Sequence, residues 1–222
     1  MTIIVHHLNN SRSQRVLWLL EELGLDYEIK HYQRDAKTML APPSLKAVHP
    51  LGKSPVISDG ERVIAESGAI IEYLVDRYGR GRLKPAPDSP ERARYTYWLH
   101  YAEGSLMPPL VMRLVLSRVP QSVPALIRPV ARAIVNGVNE RFLGPNLSTH
   151  LAFVESEIGK SSWFAGEEFT AADLQMSFPL EAAVARGQVG RLPNTAAFLE
   201  RIHARPAYKQ ALERGGPFEL LR

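Results

Sequence analysis

The sequence predicts a chain in two parts, an α/β N-terminal unit of βαβ-ββα order followed by an all-α C-terminal unit. Three observations carry this prediction. Strand-like apolar runs are confined to the first 65 residues, three prolines fall within Lys84-Pro85-Ala86-Pro87-Asp88-Ser89-Pro90, and beyond them only helical spacing recurs. At 222 residues the chain is long for one average domain and suits two cores.

The elements follow in order. Residues 2–7 are short and β-branched, a strand. Ser11 to Gly24 brings Val16, Leu17, Leu19, Leu20 and Leu23 to one helical face and stops on a glycine. Tyr27-Glu28-Ile29-Lys30-His31-Tyr32 alternates as a second strand, so the opening is a βαβ unit with parallel strands. The polar stretch Asp35 to His49, with Pro42-Pro43, reads as an irregular loop holding at most one short helix. Pro55-Val56-Ile57-Ser58 and Arg62-Val63-Ile64-Ala65 flank Asp59-Gly60, the dipeptide signal of a hairpin. Ser67 to Tyr78 is helical again and ends at Gly79. The proline-rich stretch breaks any helix and stiffens the chain, which places a first domain at 1–82, a linker at 83–90 and a second domain at 91–222. In the latter, 91–106, 125–143, 147–157, 171–186 and 195–204 carry helical spacing, and Thr170 to Asp173 has the form of a capping box.

Composition narrows the function. Apolar residues make up 45% and charged residues 23%, the balance of a chain that buries a core. The net charge of +4 is spread among acids rather than gathered into a basic run, which disfavours nucleic acid as a partner and leaves room for a modest preference for anions. Cysteine is absent, so no disulfide, thiol nucleophile or thiolate metal site can form, and any thiol in the chemistry is the substrate's. The N-terminus lacks secretory features and no apolar stretch approaches about 18 residues, so the expected location is the cytoplasm, without a membrane partner.

Four motifs stand in order along this framework: Asn10-Ser11-Arg12-Ser13-Gln14-Arg15, His49-Pro50-Leu51-Gly52-Lys53-Ser54-Pro55-Val56-Ile57, Glu66-Ser67-Gly68-Ala69-Ile70, and Phe169-Thr170-Ala171-Ala172-Asp173. With them the whole chain resembles the cytosolic glutathione transferases, of the serine-type, theta- or zeta-like or a related bacterial or fungal class. The resemblance implies a thioredoxin-like first domain that binds glutathione and a helical second domain that completes the pocket for the acceptor. It implies attack of the glutathione thiolate on a small hydrophobic electrophile, a detoxification role, a homodimer, and glutathione as co-substrate with no metal or redox cofactor. A non-catalytic glutathione or hydrophobic-ligand binding protein is the rival reading, and a glutathione-dependent peroxidase or isomerase uses the same fold. The absence of cysteine argues against the thiol-reductase branches, which need a protein thiol.

Carried onto this chain residue by residue, the resemblance assigns a site. A free thiol titrates near roughly 8.5, and a hydroxyl donor at a helix N-terminus lowers that value. Ser11 holds such a position, with Asn10 and Arg12 as alternatives one residue either way. Ser11 followed by Gln14 equally fits a plain capping box. Ser54-Pro55 falls where a cis proline is implied, its backbone pairing with the cysteinyl part of glutathione. Glu66 and Ser67, at a helix start, match the γ-glutamyl carboxylate contact, and Lys53 with His49 the glycyl carboxylate. Glu103 is the candidate acid lent across a dimer to the glutathione amine. His100, Ser105, Leu106, Met107 and Leu110 are expected to line the acceptor pocket.

Overall fold

The computed structural model describes residues 2–187 and 192–220. Four strands, β1 (Ile3–Leu8), β2 (Tyr27–Tyr32), β3 (Val56–Asp59) and β4 (Arg62–Ala65), form one sheet in the order β2-β1-β3-β4. β1 and β2 are parallel with Ile3 opposite Tyr27, while β3 runs antiparallel to both β1 and β4. The hairpin turns on Gly60 and Glu61, one residue later than the Asp59-Gly60 pair suggests, and Gly60 takes the positive φ of 61° that the turn requires. Asp59 instead ends β3, where its carboxylate accepts the hydroxyls of Tyr73 and Tyr78 at 2.6 and 2.5 Å. Both tyrosines belong to α2 (Ser67–Tyr78), so the hairpin and its helix are tied together. α1 (Ser13–Leu23) ends on Gly24 in the left-handed region, as its sequence predicts. The loop after β2 holds a single 3₁₀ turn, Pro43–Ala47. This is the thioredoxin-like arrangement, and everything described after residue 90 is helical or irregular.

The helical half departs from the sequence reading in two ways. α3 (Glu91–Tyr101) does not stop near Leu106 but passes through a π-helical turn, Ala102–Leu106, into α4 (Met107–Ser122). Likewise α5 (Arg128–Val138) passes through a π turn, Asn139–Leu143, into α6 (Gly144–Ile158). Pro108, Pro109 and Pro145 each stand in the first turn after a widened π turn, where the missing N–H and the ring are accommodated. The Gly144 N–H closes the second wide turn on the Asn139 carbonyl. The second departure is α9 (Pro206–Gly215), a helix hidden behind Arg205-Pro206.

α7 (Ala171–Ala185) is buried on nearly every side, and its N-terminus carries the predicted capping box between Thr170 and Asp173. Asp173 also accepts the Phe164 N–H at 2.8 Å, which pins the preceding loop. α8 (Pro193–Ala204) and α9 then return to α1. Arg205 makes a bidentate pair with Glu22 at 2.5 and 2.8 Å, Arg214 pairs with Glu21 at 3.0 Å, and Tyr208 meets Trp18 edge to face. One hydrophobic cluster consequently includes Val5, Leu17 and Ile70 of the first half with Trp98, Leu174 and Phe198 of the second.

Candidate active site

The N-terminus of α2, the Ser54–Pro55 bond and the start of α1 converge on one polar cleft of about 230 Å³ between the two halves. Its walls include Arg12, His49, Lys53, Ser54, Pro55, Glu66, Ser67 and Glu103, so residues far apart in sequence and singled out from separate motifs meet. The Ser54–Pro55 peptide is cis. Glu66 precedes α2 with φ of 74°, uncommon for a residue with a Cβ, and this turns the chain so that the first α2 amides open on the cleft. The positive end of a helix dipole thereby faces the cleft beside Lys53 and His49, a setting for carboxylates.

Ser11 lies just before α1 and is buried, 4% exposed. Its Oγ is 2.7 Å from Ser13 Oγ and 3.4 Å from Ser54 Oγ, and it accepts the Ser13 N–H at 3.2 Å. The capping box with Gln14 is not formed: both side-chain polar atoms of Gln14 are buried without a hydrogen-bond partner among the described residues. Ser13 continues inward to His7, whose Nδ1 is 2.9 Å from Ser13 Oγ. Asn10 turns the other way, its side-chain oxygen accepting the Glu219 N–H at 2.8 Å. Arg12 reaches into the cleft and places Nε 3.0 Å from both oxygens of Glu103.

The residue that sequence reading left without a role is Arg15. It is fully buried, and its Nη1 donates to the Gln175 carbonyl at 2.7 Å while Nη2 donates to Ser67 Oγ at 3.0 Å and to Glu103 at 2.5 Å. Gln175 lies four residues before Pro179 within α7, and a proline has no N–H to give that carbonyl. Arg15 supplies the missing donor. The available signal was an arginine inside an apolar helix together with a proline inside another. Burial pushes the Glu103 carboxyl up, but Arg15 and Arg12 outweigh it and hold the group below the usual carboxylate range. Glu103 is thus an anion engaged by two arginines of its own chain.

A second, apolar depression of about 490 Å³ adjoins the cleft, lined by Arg12, Glu103, Met107, Pro108, Val111, Met112, Val115 and Leu116. Of the five residues expected to line an acceptor pocket, Met107 does so. Leu106 and Leu110 are fully buried in the core, His100 is exposed, and Ser105 lies outside the lining. The α4 residues that do line it were missed because the prolines hid that helix. Among the described residues no group of three or more His, Cys, Asp or Glu is placed to hold a metal, and no helix is long and apolar enough to cross a membrane.

Known proteins resemble this chain along nearly its whole length. The family model for the glutathione S-transferase N-terminal domain matches residues 2–76, and that for the C-terminal domain matches residues 145–206. Glutathione S-transferase 3 of Schizosaccharomyces pombe is 39% identical, over 96% of this chain and 87% of the relative. Glutathione S-transferase 1 of Saccharomyces cerevisiae is 35% identical, over 96% and 94%. A solved glutathione S-transferase from Actinobacillus pleuropneumoniae superposes with a TM-score of 0.80 at 35% identity, over 96% of this chain and 93% of that one. A sphingomonad glutathione S-transferase complexed with glutathione shares the fold, with a TM-score of 0.71 at 24% identity, over 96% and 98%.

Proposed function

Because the chain belongs to the glutathione S-transferase family and is a transferase, we propose that it binds glutathione in the polar cleft and uses Ser11 to hold its sulfur as a thiolate for attack on a small hydrophobic electrophile. In this reading the free amides of α2, with Ser67 and Glu66, take the γ-glutamyl end. Lys53 and His49 take the glycyl carboxylate, and the Ser54 backbone pairs with the cysteinyl unit. The sulfur then lies at the Ser54 side of the cleft, beside the start of α1. The observation that carries this reading is the position of Ser11 Oγ, 3.4 Å from Ser54 Oγ and directly ahead of α1, where a hydroxyl and a helix dipole act on the same anion. The electrophile occupies the apolar depression on α4, and the new bond joins sulfur to its electron-poor atom.

Glu103 binds within its own chain to Arg12 and Arg15, which supports a role in shaping the cleft from inside the subunit. A homodimer, a cytoplasmic location, a detoxification role and domain limits of 1–82 and 91–222 about a linker at 83–90 belong to the same reading. The exposed aromatic pair Tyr97 and Phe153, with ring centroids 6.3 Å apart, supports a surface that a second copy covers.

Steady-state turnover of a chlorinated nitroaromatic tests the proposal. Ser11→Ala is expected to lower kcat by about 10- to 100-fold with little change in KM for glutathione, since the hydroxyl acts on the thiolate. Retention on immobilised glutathione by both proteins, with no turnover by either, would leave a binding protein. The purified protein is expected to sediment at twice the 24.8 kDa mass of one chain.

A further inference from the structure

Among the described residues Arg12 is the one cation that lines both the polar cleft and the apolar depression. Its guanidinium is held by the Nε contacts to Glu103 and lies over the Phe178 ring, 5.1 Å from the centroid. Among the described residues its two terminal nitrogens donate to no protein group, and the side chain is 31% exposed. Behind this wall the buried Arg15 also pairs with Glu103, so the one carboxylate that Arg12 holds is shared with a second arginine.

The surroundings deepen that charge. From Gly104 to Asn139 the sequence contains four arginines and neither Asp nor Glu, and this stretch includes the whole α4 wall of the depression. Arg186 lies close enough to Arg118 of α4 and to Arg12 that, after burial, both charges lower its pKa. The remaining lining, Met107, Pro108, Val111, Met112, Val115 and Leu116, is apolar. The pocket therefore has apolar walls and, where it meets the polar cleft, an arginine whose terminal N–H donors are unused while its Glu103 partner is shared with Arg15.

We propose that Arg12 selects the electrophile, favouring apolar molecules that carry an anionic oxygen group, such as aryl carboxylates, over neutral ones of the same shape. This rests on the glutathione transferase reading and adds to it the charge of the second substrate. The terminal nitrogens of Arg12 bind the carboxylate in the fork geometry that suits a guanidinium, while the apolar body lies along α4. In a substitution the sulfur–carbon bond forms at the ring carbon, the carbon–chlorine bond breaks, and chloride leaves with the electron pair. Arg12 takes no proton.

The test compares para-chloro-meta-nitrobenzoate with its neutral amide, each rate divided by its spontaneous rate with glutathione. The wild-type protein is expected to favour the carboxylate in kcat/KM by about tenfold, and Arg12→Gln is expected to erase that preference, whereas Arg12→Lys keeps part of it. Salt gives an independent reading on the unmodified protein: raising ionic strength from about 20 mM to about 500 mM should shrink the preference by weakening binding of the carboxylate alone. Calorimetric binding of the two glutathione conjugates gives the same comparison without turnover. Discrimination between conjugates in a protein that turns over neither acceptor would overturn the catalytic reading and uphold this one. Equal treatment of carboxylate and amide by the wild-type protein, or an equal loss for both in Arg12→Gln, would overturn the inference and leave the transferase reading intact.

Discussion

Arg15 shows how a single side chain can join two halves of a molecule that the sequence presents separately. Its three hydrogen-bonded partners, Gln175, Ser67 and Glu103, come from α7, the start of α2 and the π turn after α3. These partners engage both terminal nitrogens, leaving Nε buried without a partner among the described residues, and one of them is the carbonyl that Pro179 orphans. His7 is a second buried polar residue with a consequence for stability. Burial, then the charge of His31, lowers its pKa from 6.5 to about 4, against an opposing hydrogen bond to the Gly215 backbone. A histidine depressed in the native state contributes stability that is complete above pH 6.5 and is lost as pH falls toward 4, by up to about 3 kcal/mol. Asp173 runs the other way: burial outweighs its hydrogen bonds and raises it from 3.8 to about 6, so its contribution is lost as pH rises through that range. Urea titrations of wild type and His7→Asn from pH 7 to pH 4 should show the wild-type advantage shrinking with acid. A constant difference would mean that His7 titrates alike in the folded and unfolded protein. At this scale the motifs pointed to Ser54 and Glu66, which the fold brings to one cleft, whereas the Arg12 and Arg15 pairing with Glu103 was not legible, because the partners are about ninety residues apart.

At the scale of elements, the sheet and α2 follow from local pattern and turn chemistry, and the helical half from something less local. Proline within a helical run signals a break unless the preceding turn widens, and the widening at Ala102–Leu106 and Asn139–Leu143 has no period of its own in the sequence. Gly144 is where this can be tested. A Cβ there would stand 2.7 Å from the Asn139 carbonyl oxygen, whereas a Cβ on Gly104, in the other π turn, meets nothing within 4 Å. Gly144→Ala should destabilise the protein by about 1–3 kcal/mol in chemical denaturation, while Gly104→Ala should be neutral or slightly stabilising. Equal effects at the two glycines would refute the closely packed π turn. The same widening sets up the site, since it presents Glu103 to both arginines and directs Met107, Val111 and Val115 into the depression.

On the scale of the whole molecule, the two halves do not stand as independent bodies. α9 closes on α1 with Gly215 so near that a Cβ would lie 2.6 Å from Leu17 Cδ1 and 3.0 Å from Gln14 Oε1. Gly215→Val should therefore lower Tm by about 2–8 °C, and wild type and variant should each melt in one calorimetric transition, because the core crosses the boundary. Two separate transitions in the wild-type protein would show that the shared core does not couple the halves. The sequence by itself determined the βαβ-ββα unit, the helical remainder, the absence of any protein thiol and the ordered motifs, because strand alternation, helical spacing, turn residues and composition are properties of neighbours along the chain. Tertiary structure alone decided that α3 runs on through its prolines into α4, that Arg12 and Arg15 converge on Glu103, and that α9 seals α1. Those outcomes depend on which distant carbonyls, carboxylates and apolar faces are left in need of a partner once the local elements have formed.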